Sequence, residues 1–93
     1  MDDKVVYTLC ERVDAKNAAQ VQQEMDELSG DGSCDFVIDF KDNKYISSAG
    51  LRAVLFIQKK MKKGGGSETL VNVSNAVKEI FDVTGYTKFL VIE

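Results

Sequence analysis

The chain has no histidine and no proline among its 93 residues, and only two cysteines. Each scarcity closes off a kind of chemistry or structure. Without histidine, neither a serine–histidine nor a cysteine–histidine catalytic arrangement can form, and the usual proton shuttle at neutral pH is missing. Without proline, turns must be built from glycine, asparagine and aspartate. Cys10 and Cys34 fit no zinc-ligand spacing and make no disulfide framework, so no metal and no cofactor is expected. No signal peptide is visible, and reduced thiols in a cytoplasmic protein are the expectation. The longest uninterrupted apolar run, AVLFI at 53–57, falls far short of the roughly 18 residues a membrane-spanning helix needs.

Charge narrows the field less sharply. Twelve Lys and Arg against fifteen Asp and Glu leave a net charge of −3. That argues weakly against a nucleic-acid surface, which needs a cationic footprint. The cluster of Lys59, Lys60, Lys62 and Lys63 is a local exception and reads as a solvated helix end close to favourable carbonyl dipoles. Hydrophobic residues at 44% and charged residues at 29% are ordinary for a globular protein. The length suits one small domain spanning 1–93, which buries roughly 60–65% of its unfolded surface and needs an efficient core.

Hydrophobic periodicity supplies the architecture. VVYTLC at 5–10 is β-branched and apolar and reads as a strand. Asp14 follows as a candidate helix cap, and Ala18, Val21, Met25 and Leu28 then recur at helical spacing. SGDGS at 29–33 stops that helix. FVIDF at 36–40 is a short strand and KDNK at 41–44 a polar loop. A second helix carries a core stripe of Leu51, Val54, Leu55 and Met61, with Gln58 as its polar exception, and ends at Gly64–Gly66. TLVNV at 69–73 is a strand, and Ser74 caps a helix whose core face is Val77, Ile80 and Phe81. Gly85 ends that helix, and FLVI at 89–92 is the last strand. The order β-α-β-α-β-α-β predicts an α/β fold with a largely parallel sheet.

Chemistry concentrates in YISSAGLRAVLF at 45–56, where two serines stand at a loop-to-helix junction. One reading is a helix cap, a serine hydroxyl accepting from a first-turn N–H. A nucleophile needs glycine on both sides of the serine at a sharp turn and a base; this chain has one glycine there and no histidine. The third reading is phosphorylation, since helix N-terminal N–H groups and the helix dipole favour an added phosphate. GGGSE at 64–68 lacks the lysine and hydroxyl residue of a phosphate-binding loop and follows a helix instead of preceding one, so it reads as a stop and turn.

Three stretches in order, ERVDAKNA, FVIDFKDNKYISSAGLRAVL and GGGSETLVNVSNAVKEIFDVTGYTKFLVIE, resemble STAS domains of the anti-sigma factor antagonist type over nearly the whole chain. The resemblance implies partner switching by a non-catalytic binding module. The unmodified antagonist binds an anti-sigma factor, often a serine kinase, and frees the sigma factor. The kinase then phosphorylates one serine and releases itself, and a serine phosphatase resets the cycle. That implies no direct contact with nucleic acid and no membrane insertion. The family's phosphorylated residue stands two before the motif glycine, which is Ser48 here, with Ser47 the second acceptor. Asp14 matches an acidic position near the phosphosite, and Asp39 ends the adjacent strand.

Helical spacing from Ser48 adds Arg52, Phe56 and Lys59 on one side of the second helix, Phe56 either exposed for docking or packed on a neighbouring helix. Two residues depart from the family pattern: Ser47 stands where aspartate is usual, and Glu11 where glycine is often found. The extra N-terminal strand and last helix of the family are not evident. Their lack would expose a sheet edge open to homodimer pairing and part of one sheet face. The alternative role within the family is an accessory subunit of a transporter or larger signalling complex, with no phospho-switch.

Overall fold

The computed structural model describes residues 4–88 and 90–93. Six strands and three α-helices follow in the order β1 (Lys4–Thr8), β2 (Arg12–Val13), α1 (Ala18–Leu28), β3 (Asp35–Asp39), β4 (Tyr45–Ile46), α2 (Ser48–Gly64), β5 (Ser67–Val71), α3 (Asn75–Thr84) and β6 (Val91–Ile92), with a short 3₁₀ turn at Tyr86–Lys88. The main sheet has the order β1-β3-β5-β6 and every pairing in it is parallel. This is the α/β architecture expected from the alternation of strands and helices. A second sheet, the two-residue ribbon of β2 and β4, was not foreseen. Of the last expected strand, Phe89 lies outside the described residues.

One core joins sheet and helices. Phe36 and Ile38 of β3 and Leu70 of β5 pack with Val21 and Met25 of α1, Leu51, Val54 and Ile57 of α2, and Val77 and Phe81 of α3. Phe40 and Phe81 meet edge to face with centroids 6.0 Å apart. On the other face Val6, Val37, Thr69 and Val91 stand side by side in register. Val6 and Val91, at the two ends of that row, are 54% and 58% exposed. Among the described residues β1 pairs on one side only, with β3.

Three local expectations need correction. Asp14 does not cap α1: the cap position belongs to Asn17, while Asp14 holds the preceding turn, its carbonyl accepting from the N–H of Asn17 and of Ala18. Leu28 is half exposed, because four residues on from Met25 the inward position falls on Ser29, which is buried. The hydroxyl of Ser29 donates back to the carbonyl of Asp26 at 3.1 Å, which makes a buried serine tolerable. Finally, the buried stripe of α2 is wider than expected: it takes in Gly50, Ala53 and Ile57, and Leu55 sits at its margin, half-buried. α2 packs against both α1 and the sheet, so its buried arc spans two contacts.

The triple glycine divides its labour. Gly65 caps α2 in the left-handed conformation with φ +84°, as expected of a stop signal. Gly66 lies so close to the carbonyl of Cys34 that a side chain there has no room. Its N–H donates to the carbonyls of Gly32 and Met61, which draws the α1–β3 loop onto the end of α2.

Candidate docking and modification site

The site is built from the loop before α2. Asn43, inside the stretch read only as a polar loop, is buried, and its Nδ2 donates to the carbonyls of Cys10 (2.8 Å), Tyr45 (3.1 Å) and Glu11 (3.4 Å). These bonds align the two segments that form the ribbon, in which Arg12 opposes Tyr45 and Val13 opposes Ile46. Val13 and Ile46 are buried and anchor the ribbon to the core. The N–H of Ser47 then donates to the carbonyl of Val13 at 2.8 Å, so the helix start is fastened directly to β2.

That anchoring separates the two serines. Ser47 has the extended backbone of a cap residue, φ −84° and ψ 174°, and its Oγ accepts from the N–H of Gly50 at 3.3 Å. Its carbonyl accepts from Leu51 at 2.9 Å. Ser48 is the first residue of α2 and is exposed, and its hydroxyl takes part in no hydrogen bond among the described residues. Ser47→Ala is therefore expected to cost about 1 kcal/mol of stability, whereas Ser48→Ala stays within roughly 0.5 kcal/mol of the parent. Urea denaturation of both variants checks the assignment.

Around the serines lies a charged and aromatic rim. Arg12 Nε donates to Asp14 Oδ2 at 3.1 Å, and the guanidinium sits 4.5 Å from the centroid of the Tyr45 ring. Asp14 Oδ1 accepts from the Lys16 N–H at 2.9 Å. That bond, and then the one from Arg12, hold the Asp14 carboxyl below the usual range. Arg12 and Tyr45 were missed in the sequence, because their contact exists only through the ribbon. Arg52 and Phe56 follow Ser48 at successive turns of α2 and both are exposed, Phe56 by 44%. Lys59 continues the same exposed ridge. Asp39 is differently placed. At the end of β3, its Oδ1 accepts from Asn72 Nδ2 and from the Lys41 N–H, each at 2.9 Å. Asn72 first and then Lys41 hold its carboxyl low, and no bond joins it to the serines among the described residues.

Cys10 and Cys34 are both free thiols. Among the described residues no helix is long and apolar enough to cross a membrane.

A four-stranded parallel sheet with its helices in one core, and a serine-capped helix start tied to a strand ribbon, define a small α/β domain with an exposed ridge along α2. The model of the STAS domain family matches residues 2–93, and the chain belongs to that family. BtrV of Bordetella bronchiseptica, whose name places it with the anti-sigma factor antagonists, is 31% identical over 92% of this chain and 74% of its own. The anti-sigma-B factor antagonist of Bacillus subtilis is 30% identical over 90% of this chain and 76% of its own. In fold, the chain is similar to unphosphorylated SpoIIAA, another anti-sigma factor antagonist, with a TM-score of 0.81, 19% identity, and 100% and 82% of the two chains covered.

Proposed function

We propose that the protein is a phosphorylatable anti-sigma factor antagonist. In its unmodified form it docks on an anti-sigma factor that is also a serine kinase. Phosphorylation of Ser48 releases it, and a serine phosphatase restores it, so that a sigma factor is freed or held in turn. It acts as a binding module in the cytoplasm, not as a catalyst. The observation that carries this reading is the exposed hydroxyl of Ser48 at the start of α2, without a hydrogen bond among the described residues, beside a serine already engaged as the cap. A phosphate there adds about −1.5 to −2 charges next to first-turn N–H groups that tolerate it. The fold need not change; the charge changes what the surface accepts. Arg52 and Phe56 extend the docking face along α2, the Arg12–Asp14 pair and Tyr45 border it, and Ser47 is its capping floor. Asp39, at the end of β3, is an acidic outlier of this face, bonded to Asn72 and Lys41 and, among the described residues, not to the serines. The edge of β1 that is unpaired among the described residues offers a second copy a place to pair. SpoIIAA is described in both unphosphorylated and phosphorylated forms, which makes a phospho-switch a natural reading for a protein of the same fold.

The test combines a cognate kinase, ATP and phosphopeptide mapping. Modification is expected at Ser48 and lost in Ser48→Ala. Ser48→Asp, or the phosphorylated protein, is expected to bind the kinase roughly 100-fold more weakly, a change of about 3 kcal/mol. Modification at Ser47 alone would overturn the site, and equal affinity of the two forms would remove the switch.

A further inference from the structure

The end of α2 remote from Ser48 holds a feature that the docking site does not use. Glu68, the second residue of β5, shares the core-facing side of the strand with Leu70 and is only 6% exposed. Neither carboxyl oxygen has a hydrogen-bond partner among the described residues. Buried carboxyls nearly always have one, because the desolvated group is costly otherwise. Beside Glu68 a cleft of about 180 Å³ opens between the last turns of α2 and the β5–β6 edge. Met61 gives it an apolar wall, Val91 its rim at the β6 edge, Gln58 lines it with an amide, and Lys62 brings an exposed ammonium.

We propose that this cleft binds a small zwitterion, its ammonium drawn to Glu68, its anionic group to Lys62, and a short aliphatic spacer lying against Met61. The charges of the walls fit no single-signed ligand as well: a cation alone leaves Lys62 facing it, and an anion alone meets the carboxyl. The negative end of the α2 dipole also favours an ammonium on the Glu68 side. A cleft of this size holds on the order of six water-sized groups, which suits a short amino acid. Rotation of the Glu68 side chain brings its buried carboxyl to the cleft. Binding of the ammonium displaces the carboxyl proton, so ligand uptake and proton release are coupled. The site lies roughly 20 Å along α2 from Ser48, and its test is independent of the phospho-switch.

The experiment is calorimetric titration of the full chain near neutral pH with 4-aminobutanoate, and with butylamine and butanoate as single-ended controls. Two buffers of different ionisation enthalpy report proton release. 4-Aminobutanoate is expected to bind about tenfold more tightly than butylamine, with butanoate the weakest and with proton release for both amines. Glu68→Gln, isosteric with the parent, should lose at least tenfold in affinity for both amines. Lys62→Met should abolish the advantage of 4-aminobutanoate over butylamine, with butylamine itself binding somewhat more tightly once the opposing ammonium is gone. Butanoate binding as well as butylamine, an unaffected Glu68→Gln variant, or no binding of either amine overturns the proposal.

Discussion

Glu68→Leu is expected to raise the unfolding free energy by on the order of 3–4 kcal/mol near pH 8 and to flatten its dependence on pH below that point. Burial raises the Glu68 carboxyl from 4.5 to about 8. The folded protein therefore keeps a proton that the unfolded chain gives up. The sign follows: this group's contribution is intact below about pH 4.5, declines as pH rises, and is fully lost above about pH 8. Among the described residues the carboxyls held low, Asp14, Asp31 and Asp39, act in the opposite sense, losing their contribution only as pH falls below the ordinary 3.8. The two windows do not overlap, so the decline towards pH 8 belongs to Glu68. Leucine removes the charge and adds apolar burial beside Leu70. Against a total stability of roughly 5–15 kcal/mol for a small domain, the gain is large. Urea denaturation from about pH 5 to about pH 8.5 is the check. A variant with the parent's pH slope, or one less stable near pH 8, contradicts the account. Glu68→Gln should also lose the slope while gaining less stability, since its amide stays buried without a partner.

Why Glu68 escaped notice in the sequence is instructive. The alternation of TLVNV suggests a strand from 69 to 73, which leaves Glu68 in the preceding turn, whereas β5 runs over Ser67–Val71 and carries Glu68 into the core. A shift of two residues at a strand boundary turned a turn residue into a buried acid. The helices were more legible, because their periodicity extends over more residues: Val21, Met25, Leu51, Val54, Val77 and Phe81 are buried where the spacing puts them. The helix stops at Gly65 and Gly85, both with φ above +80° or at it, follow from glycine's freedom in that region. The β2–β4 ribbon was not legible, since two residues on each strand carry no alternation and the pairing depends on the side chain of Asn43 reaching across to the carbonyls of residues 10 and 11.

The candidate site shows the same division. A hydroxyl pair before a glycine and an apolar helix singled out this loop, but both serines were acceptable caps on propensity alone. The backbone decides between them. Fixed by its N–H bond to Val13, Ser47 takes the extended cap conformation, and Ser48 begins the helix with its side chain outward. Phe56 and Arg52 come with Ser48 because helical geometry extends from it. Arg12 and Tyr45 do not, because no local period connects them.

Gly50→Val is expected to destabilise the domain by about 3 kcal/mol or more, and to disrupt the proposed docking site while leaving Ser48 in the sequence. Gly50 is buried in the first turn of α2 against the ribbon. A Cβ there would lie 2.6 Å from Ile46 Cγ1 and 2.7 Å from Val13 Cγ1. Both neighbours are β-branched, stiff and at most 2% exposed, so neither can swing clear. Helix propensity pulls the other way, by about 1 kcal/mol in favour of alanine over glycine, so Gly50→Ala should be the milder variant. The overpacking still exceeds that gain, because the same two contacts fasten the helix start to β2. Relief by the first turn moving outward would stretch the Ser47 N–H bond to Val13 and shift the Ser48 hydroxyl with it. Urea denaturation measures the loss, and faster exchange of the Ser47 amide locates it. Combined with Val13→Ala, which removes one of the two clashing groups and leaves Ile46 in place, Gly50→Ala should cost less than the two single changes added together, by roughly 1 kcal/mol of coupling. Strict additivity would mean that Gly50 is not held by the ribbon, and the link between the fold and the position of Ser48 would have to lie elsewhere.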